Sequence, residues 1–219
     1  MANVAHSGLT GADLHEPKAI AAAAANKVYV SDGAGSGTWQ KITSAQQDAS
    51  ANAFGAGLYH VRDVQATGVA GQALTRATWN TCRLNTEATD EITSSALASN
   101  QISLPAGTYF VDALIPVYGT GAATGADLSV RAKCRIQNIT AGTTLVEGQS
   151  LHIGYLIPEI SSTVFNTLNP TVRGRFTLSG TATIEFQVYP DGASLTYTGG
   201  KALSVGSEIY ADVLIFKVA

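Results

Sequence analysis

Ser103, Asp112 and His152 are the side-chain types of a nucleophile, an orienting acid and a general base, the set that hydrolytic serine enzymes use. Nothing around them prepares that chemistry. No serine sits in a Gly-x-Ser-x-Gly turn, and Asp112 falls inside an apolar run with no base beside it. Glycoside cleavage needs two carboxyl groups about 5 to 10 Å apart, and no spacing along the chain nominates a pair. The expectation is a protein that is not an enzyme and has no catalytic residue.

Binding motifs are equally thin. The segment Gly33-Ala34-Gly35-Ser36-Gly37 has the composition of a phosphate loop, but no Gly-Lys-Ser/Thr follows and the next residues are strand-like. His6, Asp13, His15 and Glu16 are metal-ligand types whose spacing fits no local ligand pattern, so they read as polar residues scattered on an arm. No metal and no cofactor are expected. One stripe is more informative. Between residues 128 and 137, Leu128, Val130, Ala132, Cys134 and Ile136 alternate with Ser129, Arg131, Lys133, Arg135 and Gln137. Arg131, Lys133 and Arg135 therefore share one face of a strand. Two readings stand: a solvated outer face, or an attractive patch for acidic partners such as a cell-surface polyanionic glycan. Arg173 and Arg175 flank Gly174 in the same manner, and Glu185 on the next strand is their expected partner.

These residues are positioned by strands. Residues 102–117, ISLPAGTYFVDALIPV, read as two strands joined at a Pro105-Ala106-Gly107 corner. In the second, Tyr109, Val111, Ala113, Ile115 and Val117 share one face, while Phe110 and Leu114 sit with Asp112 on the other. The closing segment EIYADVLIFKVA repeats the pattern: Ile209, Ala211, Val213 and Ile215 on one side, Tyr210, Leu214, Phe216 and Val218 on the other. Apolar bulk on both faces predicts a sandwich core on one side and another subunit on the other. Phe110, Leu114, Tyr210, Leu214, Phe216 and Val218 are the expected subunit interface.

Further strands are predicted near 58–64, 77–85, 127–138, 144–153, 170–178 and 182–189, a spacing that means a sandwich or barrel. The segments VYGTGAATGADL and SSTVFNTLNP between them read as exposed loops. Before this head, residues 1–18 form a polar arm. A short alanine-rich turn follows, then a hairpin of residues 27–30 and 39–42 anchored by Trp39, and a short helix opened by Ser44 and ending near Gly55. The division is an attachment module over 1–56 and a head over 57–219.

Composition agrees. The 219 residues are 45% hydrophobic and 13% charged, against a norm near 25% charged, which suits an all-β chain that hides much of its surface in an oligomer. A net charge of −3 gives no electrostatic reason for a nucleic-acid partner. No secretory signal and no run of the ~18 apolar residues that span a membrane occur, so synthesis in a cytosol and no membrane association are expected. Cys82 and Cys134 match no zinc or redox spacing and are expected to be free, buried thiols.

The order ISLPAGTYFVDA, RGRFTLSGTATIEFQV and EIYADVLIFKVA resembles the jelly-roll head of the C1q and tumour-necrosis-factor type as it occurs in bacteriophage structural proteins. That resemblance covers residues from about 58 to the end. It implies an antiparallel jelly-roll sandwich assembled as a homotrimer about its terminal strands. HSGLTGADLHEPK followed by KVYVSDGAGSGTWQKI resembles the N-terminal module of phage fibre and head-decoration proteins, with Ala19 where many such modules carry Gly. It implies docking on a virion through Leu14, His15, Glu16, Pro17 and Lys18, with the major capsid protein or a neighbouring virion protein as partner. The expected function is thus a capsid decoration protein or short head fibre on the capsid surface. A tail-fibre receptor-binding protein that recognises bacterial surface glycan is the alternative.

Overall fold

A computed structural model describes residues 27–31, 37–41, 57–123, 129–154, 162–192 and 195–218. The chain divides into two compact units, Met1–Asn52 and Ala53–Ala219. In the first, β1 (Lys27–Ser31) pairs antiparallel with β2 (Gly37–Lys41), with Tyr29 opposite Trp39, as the hairpin pattern predicts. The docking residues Leu14 to Lys18 and the helix expected after Ser44 lie outside the described residues, and so does the side chain of Trp39.

The second unit is all-β, and no helix occurs among its described residues. Its strands are β3 (Gly57–Gln65), β4 (Ala73–Leu74), β5 (Asn80–Thr81), β6 (Thr86–Asp90), β7 (Ala96–Ala98), β8 (Gln101–Leu104), β9 (Gly107–Leu114) and β10 (Val117–Ala123), followed by β11 (Val130–Asn138), β12 (Thr143–Ile153), β13 (Ser162–Leu168), β14 (Thr171–Leu178), β15 (Ala182–Gly192), β16 (Thr196–Thr198) and β17 (Glu208–Lys217). They form an antiparallel sandwich of jelly-roll type. One face is a five-stranded sheet in the order β14-β9-β17-β3-β6, and the other runs β12-β11-β15-β8-β7 with β5 added to β15. A third sheet, β13-β10-β16-β4, includes two strands that lie within the segments expected to be loops. Val117 to Ala123 pair residue for residue with Leu168 to Ser162, so the glycines there thin a strand and do not end it.

Alternation makes most of the core. Tyr59, Val61, Tyr109, Val111, Val213 and Ile215 point inward from the five-stranded sheet, and Ile102, Val130, Cys134, Ile136, Ile184 and Phe186 point inward from the other. A buried phenol needs a partner for its hydroxyl. Tyr109 donates to Pro105 O at 2.7 Å while its ring stacks on Phe176, and Tyr59 donates to the Glu87 carboxylate. At the start of β17 the buried Glu208 carboxylate accepts from the amides of Leu203, Ser204 and Gly68, at 3.1, 2.7 and 3.2 Å. Those amide bonds hold its pKa below the ordinary carboxylate value and fasten the preceding loop.

Both cysteines are free and buried. Burial pushes the Cys134 thiol up to about 12 and the Cys82 thiol well above its ordinary value, which keeps the reactive thiolate scarce. Thiol titration of native protein is therefore expected to be slow, and to reach two thiols per chain on unfolding. Recovery of none after denaturation without reductant would show a disulfide.

Candidate functional site

Two outer surfaces carry side chains that alternation leaves out of the core. The first is the outer face of β3, β17, β9 and β14. Register places Phe216 opposite both Leu58 and Phe110, Leu214 opposite His60 and Asp112, and Asp212 opposite Arg62 and Leu114. Arg175 continues the first row beyond Phe110, and Arg173 the second beyond Asp112. The result is an apolar band, with the Phe110 and Phe216 rings 6.5 Å apart, bordered by ion pairs. Arg173 Nε donates to Asp112 at 2.7 Å, and His60 Nε2 and Arg62 Nε stand 2.5 and 3.2 Å from Asp212 Oδ1.

Of the six residues expected at a subunit interface, Phe110, Leu114, Leu214 and Phe216 share this face. Tyr210 does not. A bulge between Ile209 and Asp212 sets two residues of β17, Tyr210 and Ala211, against one of β3, Asp63, and everything before it changes side. Tyr210 is consequently buried, its hydroxyl donating to Val69 O at 2.7 Å, while Ile209, expected inside, is 51% exposed. Val218 lies just past the strand, half-buried, and its amide donates to Thr108 O at 2.8 Å.

The second surface is the outer face of β12, β11 and β15. Here register makes two cross-strand rows, His152-Arg131-Asp191 and Ser150-Lys133-Tyr189. With Ala132 and Leu151 these residues line a depression of about 290 Å³. A third row, Glu147-Arg135-Gln187, runs beside it. The cationic stripe Arg131, Lys133 and Arg135 does lie on one face, but its charge is locally committed. Lys133 Nζ is 2.5 Å from Glu147, and Arg135 donates to Gln187 Oε1 at 2.9 Å and to Thr144 Oγ1 at 3.2 Å while its guanidinium caps the Trp79 ring at 4.1 Å. Trp79 in turn meets Tyr189 edge-on, with centroids 5.5 Å apart.

Two close approaches fix this surface. Gly148 lies at a bulge of β12, where a Cβ would come within 2.4 Å of Cys134 Sγ, so only glycine lets Glu147 turn back towards Lys133. Gly192 has φ +115°, and a Cβ there would meet Ser129 O at 2.1 Å, so its absence lets the end of β15 close on β11 and sets Asp191 beside Arg131.

The remaining candidates separate. Asp112 is on the outer face of the five-stranded sheet, whereas Ser103 and His152 belong to the opposite sheet, so the three do not meet. Glu185 also corrects an expectation. It does not pair with Arg173 or Arg175, which lie in the other sheet. It accepts instead from Thr81 Oγ1 (2.8 Å), Gln101 Nε2 (2.8 Å) and Gln187 Nε2 (2.7 Å). Burial works to raise its pKa, and these donors outweigh that and leave it lowered. Among the described residues no group of His, Cys, Asp and Glu is arranged to hold a metal, and His6, Asp13, His15 and Glu16 lie outside them.

Sequence reasoning missed Trp79, Tyr189 and Asp191. A signal existed, for Glu185, Gln187, Tyr189 and Asp191 form the outward row of a strand, and an aromatic residue in a polar row is conspicuous. No protein-family model matches the chain, and no curated protein matches it.

Proposed function

We propose that this chain is a non-enzymatic structural protein of a bacteriophage virion: a homotrimeric capsid decoration protein or short head fibre. In this reading it docks on the capsid through its N-terminal arm, with Leu14, His15, Glu16, Pro17 and Lys18 at the contact, and displays a jelly-roll head. The observation that carries the assembly is the apolar band of Leu58, Phe110, Leu114, Leu214 and Phe216 on an outer sheet face. A sheet face that only meets water carries few large apolar residues, and this one sets five of them among its charged side chains. Arg62, Arg173 and Arg175 stand beside it together with Asp112 and Asp212, so both signs of charge are available to a neighbouring copy. The virion and the arm's role come from the resemblance of the HEPK-type arm and the head motifs to phage structural proteins.

Light scattering at micromolar protein is expected to give three times the chain mass. A monodisperse monomer would sink the assembly. Phe216→Asp is expected to dissociate or aggregate the particle, because an uncompensated charge would be buried in every subunit contact at several kcal/mol. Electron microscopy of virions carrying a labelled copy tests the location. Label across the capsid supports decoration. Label confined to the tail tip supports the second reading, a tail-fibre receptor-binding protein for bacterial surface glycan, which the aromatic-lined depression beside Tyr189 favours.

A further inference from the structure

We infer that the depression on β11, β12 and β15 is a binding site for one uncharged pyranose unit of a glycan. The inference depends neither on the trimer nor on the virion location.

Size comes first. A cavity of about 290 Å³ sits at the lower edge of the roughly 300–1,000 Å³ typical of small-molecule pockets, which limits it to one ring or a chain end. Its chemistry then selects the ring. A pyranose has two kinds of surface: a rim of hydroxyls that both donate and accept, and a face of C–H bonds. The depression answers both. Arg131, Lys133 and Ser150 supply donors, Asp191 supplies a carboxylate acceptor, and His152 and the Ser150 hydroxyl serve either way. Tyr189 supplies the aromatic surface, and the edge-on contact with Trp79 fixes its ring before any ligand arrives.

Charge decides between sugar classes. The lining cations Arg131 and Lys133 are matched by Asp191 in the lining and by Glu147 on Lys133, so the site has no net attraction for an anion. Phosphate or a uronic acid would have to share the cations with those carboxylates. Hydroxyls need no net charge, and each can donate to the Asp191 carboxylate while accepting from Arg131 or His152.

The site is built to hold, not to cut. Among the described residues Asp191 is the one carboxylate lining it, and glycoside cleavage needs two carboxyl groups flanking the bond. The backbone beneath is rigidly set: Tyr197 donates to Asp191 O at 3.0 Å, and Gly192 closes against Ser129. Little ordering is left for a ligand to impose, and preorganisation of this kind lowers the entropic cost of binding a single ring.

The test uses the full chain and a panel of methyl pyranosides of gluco, galacto, manno and N-acetylhexosamine configuration, read by saturation-transfer NMR. Glucuronic acid and inorganic phosphate serve as charged comparators. At least one neutral glycoside is expected to bind with a Kd of about 1 mM and to keep its affinity within about twofold between about 50 and 500 mM salt. Tyr189→Ala and Asp191→Asn are each expected to weaken it at least about tenfold. Tyr189→Phe, which keeps the ring, is expected to bind as the parent does and controls for folding. No binding by any neutral member would overturn the proposal. So would binding untouched by Tyr189→Ala and Asp191→Asn, or binding of the charged comparators alone with steep salt dependence.

Discussion

Phe186→Ala is expected to destabilise the head by about 3 to 5 kcal/mol, measured by urea unfolding. The ring is fully buried at the centre of β15, flanked by the equally buried Ile184 and Val188. The loss combines the transfer free energy of the ring with the cavity left behind. At about 2 to 4 °C per kcal/mol for a chain of this size, the melting temperature should fall by roughly 6 to 20 °C. Phe186→Leu should recover more than half of that, because it restores most of the volume. A loss under ~1 kcal/mol for the alanine variant would mean that the two sheets do not pack as described.

Arg83→Met should cost almost as much for a different reason. Asp63 is 2% exposed, and its carboxylate is held by Arg83 Nε at 2.8 Å and Gln65 Nε2 at 2.5 Å. Removing the cation alone leaves a buried charge with one neutral donor, a situation that costs about 3 to 5 kcal/mol when both partners are fully buried. Arg83 keeps 27% of its side chain exposed, so about 3 kcal/mol is the expected value by the same unfolding measurement. The double variant Asp63→Leu with Arg83→Met should be more stable than Arg83→Met alone, since nothing charged is then stranded. The surface pair Lys133–Glu147, on the other sheet and with side chains 42% and 57% exposed, is the contrast: deleting Glu147 should change stability by less than ~1 kcal/mol. Equal losses at the two sites would show that burial is not what sets the cost.

Much of this chain was legible in order. The faces of β9 and of the second half of β17 follow from alternation alone, because side chains on a strand point to opposite sides whatever the partners are. Tyr109, Val111 and Ala113 are inside and Phe110 and Leu114 outside, as that rule requires. The β1–β2 hairpin was legible from its turn residues, and buried thiols from two cysteines in apolar strands.

What stayed hidden depends on where strands meet. One extra residue in β17 reverses the side on which Tyr210 and Ile209 fall, and a bulge shows only when a partner strand is laid against it. β10 and β13 read as loops because glycine and serine lower strand propensity, yet the ladder between them supplies hydrogen bonds that propensity does not count. The depression shows the limit most clearly. Arg131 and Lys133 were identified from the sequence, but Tyr189 and Asp191 lie more than fifty residues further along the chain and reach them only through the β11–β15 register. Sequence alone determined which side chains face outward along regular strands such as β9 and β11. Tertiary structure alone decided which of them stand together, because register and bulges are set by the packing of both sheets on a common core and not by any one strand.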